Sequence, residues 1–149
     1  MLTRRTLLAG LAATPLIPAM ARAVTPSAYA LGGIAIHGYD PVAYFTDAAP
    51  VAGDPAISAN WMGAQVLFAT SANRDRFLAD PDTHAPRYGG YCAYAMSKGS
   101  IGPTVPEAWT VHKGRLYLNV SLRARELWLQ DVPGNIAKAD GDWPGILNS

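Results

Sequence analysis

The sequence has few charged residues and a single cysteine. Only 15% of its 149 residues are charged, and twelve basic side chains against eleven acidic ones give a net charge of +1. This balance excludes the strongly basic surface that is typical of a nucleic-acid-binding protein. The one cysteine, Cys92, excludes an internal disulfide, a CxxC redox pair and any zinc site built from cysteines alone.

The usual sequence motifs of catalysis are also missing. The chain has no nucleophile elbow, no glycine-rich phosphate loop and no dinucleotide fingerprint. A cysteine nucleophile would need a base, for which His84 and His112 are available, and an orienting carboxylate such as that of Asp40 or Asp82. No spacing in the sequence brings such a set together. We therefore predict that the protein is not an enzyme.

The first 23 residues have the pattern of an export signal. Arg4 and Arg5 supply the positive start, a mildly apolar stretch follows, and Ala21-Arg22-Ala23 offers the small residues at which signal peptidase cuts. The apolar stretch is shorter than the ~20 residues that a membrane-spanning helix needs. The paired arginines favour the twin-arginine route. We expect cleavage after Ala23 and a periplasmic protein with no stable membrane insertion.

The rest of the chain is divided into a leader and one domain. Residues 24–33 predict a small, apolar leader that packs loosely, and residues 34–149 predict the domain proper. Removal of the signal leaves nine basic and eleven acidic side chains. Half of the full chain is hydrophobic, so a single domain of this length has enough apolar surface for one core without disulfides.

Two stretches of the domain share one order of features. Residues 61–68 predict a hairpin that turns at Gly63, and a helix follows it, capped by Ser71 and ended by Asp80-Pro81. Residues 109–118 predict a second hairpin, and residues 121–129 a second helix that begins with a serine. These two units predict an α+β fold with a small antiparallel sheet and helices packed on one side.

The order of features favours an internal duplication. Trp61 would match Trp109, and each unit has a turn glycine and a capping serine. Chance similarity is the alternative, because hairpin-plus-helix units are common. Outside the two units, residues 42–45 predict a short strand after a turn, and residues 134–147 predict a short helix that docks back on the domain.

Several short motifs run through the domain. They are Gly38-Tyr39-Asp40-Pro41-Val42-Ala43-Tyr44-Phe45, Trp61-Met62-Gly63, residues 68–77, Asp80-Pro81, Tyr88-Gly89-Gly90-Tyr91-Cys92-Ala93 and Leu116-Tyr117-Leu118-Asn119. Together they resemble the exported proteins of the YHS-domain family, which often carry a twin-arginine signal. Short YHS modules occur beside metal-handling domains, notably in copper and heavy-metal transporters, and are thought to bind metal through cysteines. The resemblance therefore implies a soft-metal role, with copper first.

The sequence departs from the short YHS pattern at the residues that would bind the metal. Ala43, Ala69 and Asn73 stand where that pattern has its three cysteines. The metal site that the resemblance implies therefore cannot be carried over to this chain, and a metal site has to be built from other side chains.

Three other side chains are candidate ligands for a soft metal ion. A thiolate, a thioether and an imidazole all suit Cu(I), and Cys92, Met96 and His84 supply one of each. On a helix, Cys92 and Met96 would share a face, and His84 could fold back towards them. The alternative is that the cysteine and the methionine are core residues. The third histidine, His37, belongs to no ligand motif.

A tyrosine-rich segment supports a different function. Tyr88, Tyr91 and Tyr94 recur every third residue, which on a helical turn would form an aromatic stripe, although packing beneath a loop is the alternative. Our first prediction is a soluble, non-enzymatic periplasmic protein whose partner is a copper ion or a periplasmic protein. Our second is a metal-free protein- or ligand-interaction module that uses the tyrosine-rich segment around Gly90.

Overall fold

The computed structural model of the protein describes residue 10, residues 12–19 and residues 24–149. Most of the predicted signal, including its cleavage site after Ala23, lies outside the described residues. Within the described part, no helix has both the length and the apolar composition needed to cross a bilayer.

Short strands and helices alternate along the described chain. The strands are β1 (Ala30–Leu31), β2 (Ile34–Ala35), β3 (Asp54–Trp61), β4 (Ala64–Phe68), β5 (Val105–His112) and β6 (Arg115–Asn119). The helices are α1 (Ala43–Thr46), α2 (Ser71–Ala79), α3 (Pro81–His84), α4 (Ala93–Ser97), α5 (Leu122–Leu129) and α6 (Val132–Asp142). Short 3₁₀ turns span Ile36–Gly38, Arg87–Gly90 and Gly145–Asn148.

The strands form two sheets. The first has the order β1-β2-β4-β3, in which β2 and β4 are parallel, and the second consists of β5 and β6 alone. The α+β class and both predicted hairpins are confirmed. The single antiparallel sheet is wrong, because the two hairpins lie in different sheets. The first hairpin also begins earlier than predicted, since β3 starts at Asp54.

The two hairpins repeat each other residue by residue. The β3–β4 pairs Trp61 with Ala64 and Ser58 with Leu67 correspond, 51 positions later, to the β5–β6 pairs His112 with Arg115 and Trp109 with Leu118. Both long strands have a register shift at the same place. The structure therefore supports the internal duplication. The counterpart of Trp109 is Ser58, so the pairing of Trp61 with Trp109 is wrong.

The duplication includes the turn before each hairpin. Ile36, His37 and Gly38 have φ values of 54°, 50° and 81°, and residues 88–90 have φ values of 59°, 62° and 82°. Left-handed backbone is costly for Ile36, His37 and Tyr88, which are not glycines. The same three-residue pattern before both hairpins is therefore unexpected by chance. We call residues 36–79 repeat 1 and residues 88–129 repeat 2.

Local capping explains two differences from the sequence predictions. Residues 42–45 do not form a strand, because the carboxylate of Asp40 accepts hydrogen bonds from the backbone N–H groups of Val42 and Ala43 and starts α1 there. Helix α2 is capped by Thr70, whose hydroxyl accepts from the backbone of Asn73, so Ser71 is the first helical residue rather than the cap.

The core consists of two clusters of buried side chains. The first lies between the hairpins and includes Phe68, Phe77 and Leu116; the second lies between α4, α5 and α6 and includes Met96 and Trp128. Such clusters supply most of the free energy of folding in a domain of this size.

Residues 24–33 pack more closely than a loose leader would. Ala28 is buried in the first cluster, and the backbone N–H of Tyr29 donates to the carbonyl of Gly89 at 2.8 Å. The C-terminal segment docks back as predicted, through α6 and Trp143.

Candidate functional site

The Cys92 thiol is a buried structural group in this fold. Its Sγ accepts hydrogen bonds from the backbone N–H of Ala95 at 3.5 Å and of Val120 at 3.3 Å, and lies 3.4 Å from the side-chain oxygen of Asn119. The residue has no exposed surface. The thiol therefore caps α4 and ties it to the end of β6.

Asp40 occupies the same place in repeat 1. Its carboxylate accepts from the backbone N–H groups of Ala43 at 3.4 Å and Ala69 at 2.9 Å, the counterparts of the two donors to Cys92. Asp40 is also fully buried. The position of Cys92 is thus one that the fold uses to hold a helix start against a hairpin, and this favours the structural role over the metal-binding one.

The other two candidate metal ligands have different surroundings. Met96 is fully buried among the aromatic rings of the second cluster. His84 is half-buried at the end of α3, where its Nδ1 lies 2.9 Å from the carbonyl oxygen of Asp80 and its ring meets the ring of Phe45 edge-on. Across the described residues, no group of three or more His, Cys, Asp and Glu side chains is close enough to hold a metal ion.

The hydrogen bonds of Cys92 do not include a histidine. His37 is held elsewhere, with Nε2 2.7 Å from the carbonyl oxygen of Thr104, and Asp40 has its oxygens occupied by backbone and amide donors. A nucleophile has to be within hydrogen-bond reach of its base. The described geometry therefore gives no support to a cysteine–histidine catalytic pair.

The tyrosine-rich segment is mostly buried and does not form one helical stripe. Tyr88 lies in the left-handed turn, Tyr91 follows in extended backbone, and Tyr94 lies in α4. The rings of Tyr88 and Tyr91 both face Trp143, each with its centroid 6.3 Å from that of Trp143. The hydroxyl of Tyr91 donates to the carbonyl of Pro26 at 2.8 Å.

Burial changes the acidity of these phenols. It raises the pKa of Tyr91 above its usual value, and the neighbouring Tyr29 adds to the rise. Burial also raises the pKa of Tyr88, and a 3.0 Å hydrogen bond from its hydroxyl to the carboxylate of Asp140 adds to the effect. Both side chains therefore stay neutral hydrogen-bond donors over the physiological pH range.

Two clefts lie on either side of this segment. The Tyr29–Tyr91 cleft has a volume of about 430 Å³. It is lined by Pro26, Ala28, Tyr29, Ala30, Gly33, Met62, Gly63, Ala64 and Tyr91. The Trp61–Trp143 cleft has a volume of about 220 Å³. It is lined by Trp61, Met62, Asp82, Ala85, Pro86, Arg87, Tyr88 and Trp143.

Met62 belongs to both clefts and connects them. It is at the tip of the first hairpin with a φ of 50°, and 49% of its surface is exposed. Tyr88, which lines the smaller cleft, also has left-handed backbone, with a φ of 59°. The left-handed backbone of Met62 belongs to the two-residue turn of the hairpin, whereas that of Tyr88 is fixed by the structure around it.

Comparisons with protein-family models, with curated proteins and with solved structures each return no match. The YHS resemblance of the sequence therefore stays a prediction.

Sequence reasoning did not single out Tyr29, Met62 or Trp143 as site residues. Met62 had a detectable signal, because a large apolar residue before the turn glycine of a hairpin has little chance of being buried. Tyr29 and Trp143 had none, since the contacts that bring them to the segment are long-range.

Proposed function

We propose that this protein is a non-enzymatic, metal-free binding module of the periplasm. It takes an apolar group, presented by a small ligand or by a partner protein, into the Tyr29–Tyr91 cleft beside the tyrosine-rich segment. The observation that carries the proposal is the exposed Met62 at the junction of two aromatic clefts.

The shape and the lining of the larger cleft support this proposal. Its volume of about 430 Å³ lies in the range of small-molecule sites, which are mostly apolar with few polar groups. Its walls are tyrosine rings, alanines and a methionine, and methionine adapts its shape to different ligands. The hydroxyl of Tyr91 already donates a hydrogen bond to the carbonyl of Pro26, so a ligand in the cleft would contact the aromatic ring.

The surface around the cleft is apolar as well. Leu31 and Ile34, which flank the hairpin residues Gly32 and Gly33, are 53% and 37% exposed. With Met62 they place three large exposed apolar side chains near one cleft, and exposed apolar clusters of this kind mark ligand grooves and protein-binding sites.

Binding of an uncharged fluorescent probe tests the proposal. N-phenyl-1-naphthylamine becomes fluorescent in apolar sites and carries no charge. We expect saturable binding by the full chain and a loss of about tenfold or more in affinity for Met62→Lys, because a charged ammonium then lies at the cleft junction. Leu78→Lys is the matched control, since Leu78 is also exposed, at 54%, but lies on α2 outside the cleft.

Two outcomes would count against this function. Equal loss of probe binding in both lysine variants would show that the probe binds at no particular apolar surface. Near-stoichiometric copper in protein purified without chelators, measured by mass spectrometry and lost in Cys92→Ala, would instead support the metal role that the sequence suggested first.

A further inference from the structure

A third cleft lies at the turn of the second hairpin, at the place that corresponds to the Met62 turn of repeat 1. It has a volume of about 360 Å³ and is formed between this hairpin and α6. Lys113 and Arg115, the counterparts of Met62 and Ala64, line one side of it. The duplication has therefore placed cationic side chains where repeat 1 has apolar ones.

Neither Lys113 nor Arg115 forms an ion pair within the described residues. Two carboxylates are nevertheless near, since the charge of Arg115 acts on Asp80 and Asp140 lines the same cleft. Arg115 donates from Nη1 to the carbonyl of Asp82 at 3.1 Å, which orients the guanidinium and leaves its other N–H groups free. Lys113 is exposed at the turn, with a φ of 49°.

Tyr117 lines the cleft and supplies a hydroxyl donor. The residue is only 5% exposed, and its hydroxyl, which reaches solvent, has no acceptor among the described residues, unlike those of Tyr88 and Tyr91. Burial raises the pKa of Tyr117, while Arg87 lowers it and Asp140 raises it, so the hydroxyl lies among these charges and remains protonated. An anion in the cleft would satisfy this donor.

The opposite wall is apolar. Pro133, Ile136 and Ala137 from α6 line it, and Asp140 of the same helix also lines the cleft, close enough to Tyr117 to raise the pKa of that phenol. The carboxylate of Asp140 accepts a hydrogen bond from Tyr88, so its charge is partly compensated on that side. The lining of the cleft thus includes both cationic and apolar side chains.

We propose that this cleft, lined by Lys113, Arg115, Tyr117 and Ile136, binds a small amphipathic carboxylate. The carboxylate accepts hydrogen bonds from Arg115 and Tyr117 and is attracted by Lys113. The apolar body of the ligand packs on Pro133, Ile136 and Ala137. Arginine suits this task because its planar guanidinium offers paired donors to a carboxylate. This site is separate from the Tyr29–Tyr91 cleft, so either function can fail without the other.

A titration with 4-phenylbutyrate tests the proposal, with 4-phenylbutanamide as the uncharged ligand of the same shape. Amide resonances of the full, isotope-labelled chain report where each ligand binds and with what Kd. We expect saturable shifts at residues 113–117 and 134–137, and a Kd for the amide that is about fivefold or more above that of the carboxylate.

Variants of Arg115 and Lys113 test whether the charge of the cleft, rather than the fold alone, contributes to binding. Arg115→Gln and Lys113→Gln are each expected to raise the Kd of the carboxylate by about threefold or more and to leave the weaker binding of the amide unchanged. Lys113 is exposed at a turn, so its variant keeps the fold even if Arg115→Gln does not. Arg123→Gln is the matched control, because Arg123 lies on α5 and pairs with Glu126 away from the cleft.

Four results would overturn the proposal. The first three are equal Kd values for carboxylate and amide, an unchanged Kd in Lys113→Gln, and shifts that map to the Tyr29–Tyr91 cleft instead of the second hairpin. The fourth is the absence of saturable shifts at residues 113–117 up to the solubility limit of 4-phenylbutyrate. The probe-binding test of the Tyr29–Tyr91 cleft is unaffected by any of these results.

Discussion

Replacement of Asp40 by alanine tests whether one buried carboxylate holds repeat 1 together. Asp40 has no exposed surface, and its oxygens accept three short hydrogen bonds, from Val42 N at 2.8 Å, Ala69 N at 2.9 Å and Asn73 Nδ2 at 2.8 Å. A fourth, from Ala43 N, is longer at 3.4 Å. The residue therefore fixes the start of α1, the end of β4 and the first turn of α2.

The expected loss of folding stability follows from the hydrogen-bond donors that the substitution leaves without an acceptor. Asp40→Ala removes the acceptor from three donors at once, and each buried donor left without a partner costs roughly 1–3 kcal/mol. Val42 is fully buried, whereas Ala69 and Asn73 have some access to water, which reduces their share. We expect a loss of about 3–5 kcal/mol, which is a large part of the 5–15 kcal/mol that ordinarily stabilises a domain.

Urea unfolding followed by far-ultraviolet circular dichroism measures this loss. Asp75→Ala is the control, because Asp75 is exposed on α2 and should change stability by less than about 0.5 kcal/mol. A double-mutant cycle with Asn73→Ala should give a coupling of about 1–2 kcal/mol, since the pair shares a charge-assisted hydrogen bond. A loss below about 1 kcal/mol for Asp40→Ala would refute the reasoning.

Three further predictions concern the thiol, a tyrosine and a glycine. Cys92 has no exposed surface, so we expect a thiol reagent such as dithionitrobenzoate to label it only as fast as the domain opens; stoichiometric labelling of native protein within the mixing time would contradict this. Burial raises the pKa of Tyr88 above the value near 10 of an unfolded chain, so its contribution to stability is fully present below about pH 10 and is lost as pH rises through the folded-state pKa. Urea midpoints measured between about pH 8 and 11.5 should fall at the alkaline end, more in the native sequence than in Tyr88→Phe. Gly89→Ala should destabilise the domain by about 2 kcal/mol or more, because Gly89 has a φ of +62° and its new Cβ would collide with the backbone oxygen of Ser27. Gly114→Ala, with a φ of +73° but open space around it, should cost only about 1 kcal/mol, and equal losses in the two glycine variants would argue against the collision.

The local parts of the fold were predictable from the sequence. Each hairpin turn ends in a glycine, Gly63 or Gly114, and both turns have the left-handed backbone that a two-residue hairpin loop requires and glycine adopts freely. Ser121 caps α5 as predicted, because its hydroxyl accepts from the backbone of Ala124. These signals depend on neighbours in the sequence.

The non-local parts were not predictable in the same way. The strand-like residues 42–45 form a helix because Asp40 captures their backbone donors, and Asp40 is held in turn by Ala69, 29 positions away. The separation of the hairpins into two sheets depends on β2, a two-residue strand that pairs with β4 in parallel. A strand of two residues has no hydrophobic period to detect.

The candidate site illustrates the same limit. The sequence identified the tyrosine-rich segment, but the clefts beside it need Tyr29, Met62 and Trp143, which come from distant parts of the chain. Cys92, Met96 and His84 were selected by the chemistry of their side chains. Chemistry selects residue types that can bind copper, whereas the fold decides whether their atoms meet.

The duplication explains why a lone cysteine is buried at position 92. Three backbone donors need acceptors in each repeat, and in repeat 1 all of them reach Asp40. In repeat 2, Sγ of Cys92 accepts from two of the three, and the third, the N–H of Tyr94, donates to Asn119 at 2.9 Å. A sulfur atom is a weaker acceptor than a carboxylate, so repeat 2 requires the second acceptor.

Asp40 and Cys92 also differ in their side-chain partners, because only Cys92 needs a second acceptor beside it. Asp40 has spare acceptor capacity and takes an additional donor, Asn73, from α2. The counterpart of Asn73 in repeat 2 is Ala124, which has no side-chain donor, and the counterpart of Asn119 in repeat 1 is the apolar Phe68. The polar side chain has moved from the helix to the strand, where its oxygen accepts from Tyr94 while its buried Nδ2 has no partner among the described residues. The thiol already accepts two backbone donors in this arrangement, which favours a structural role for Cys92. At the hairpin tips, Met62 and Lys113 make the two repeats chemically different, and both proposed sites lie there.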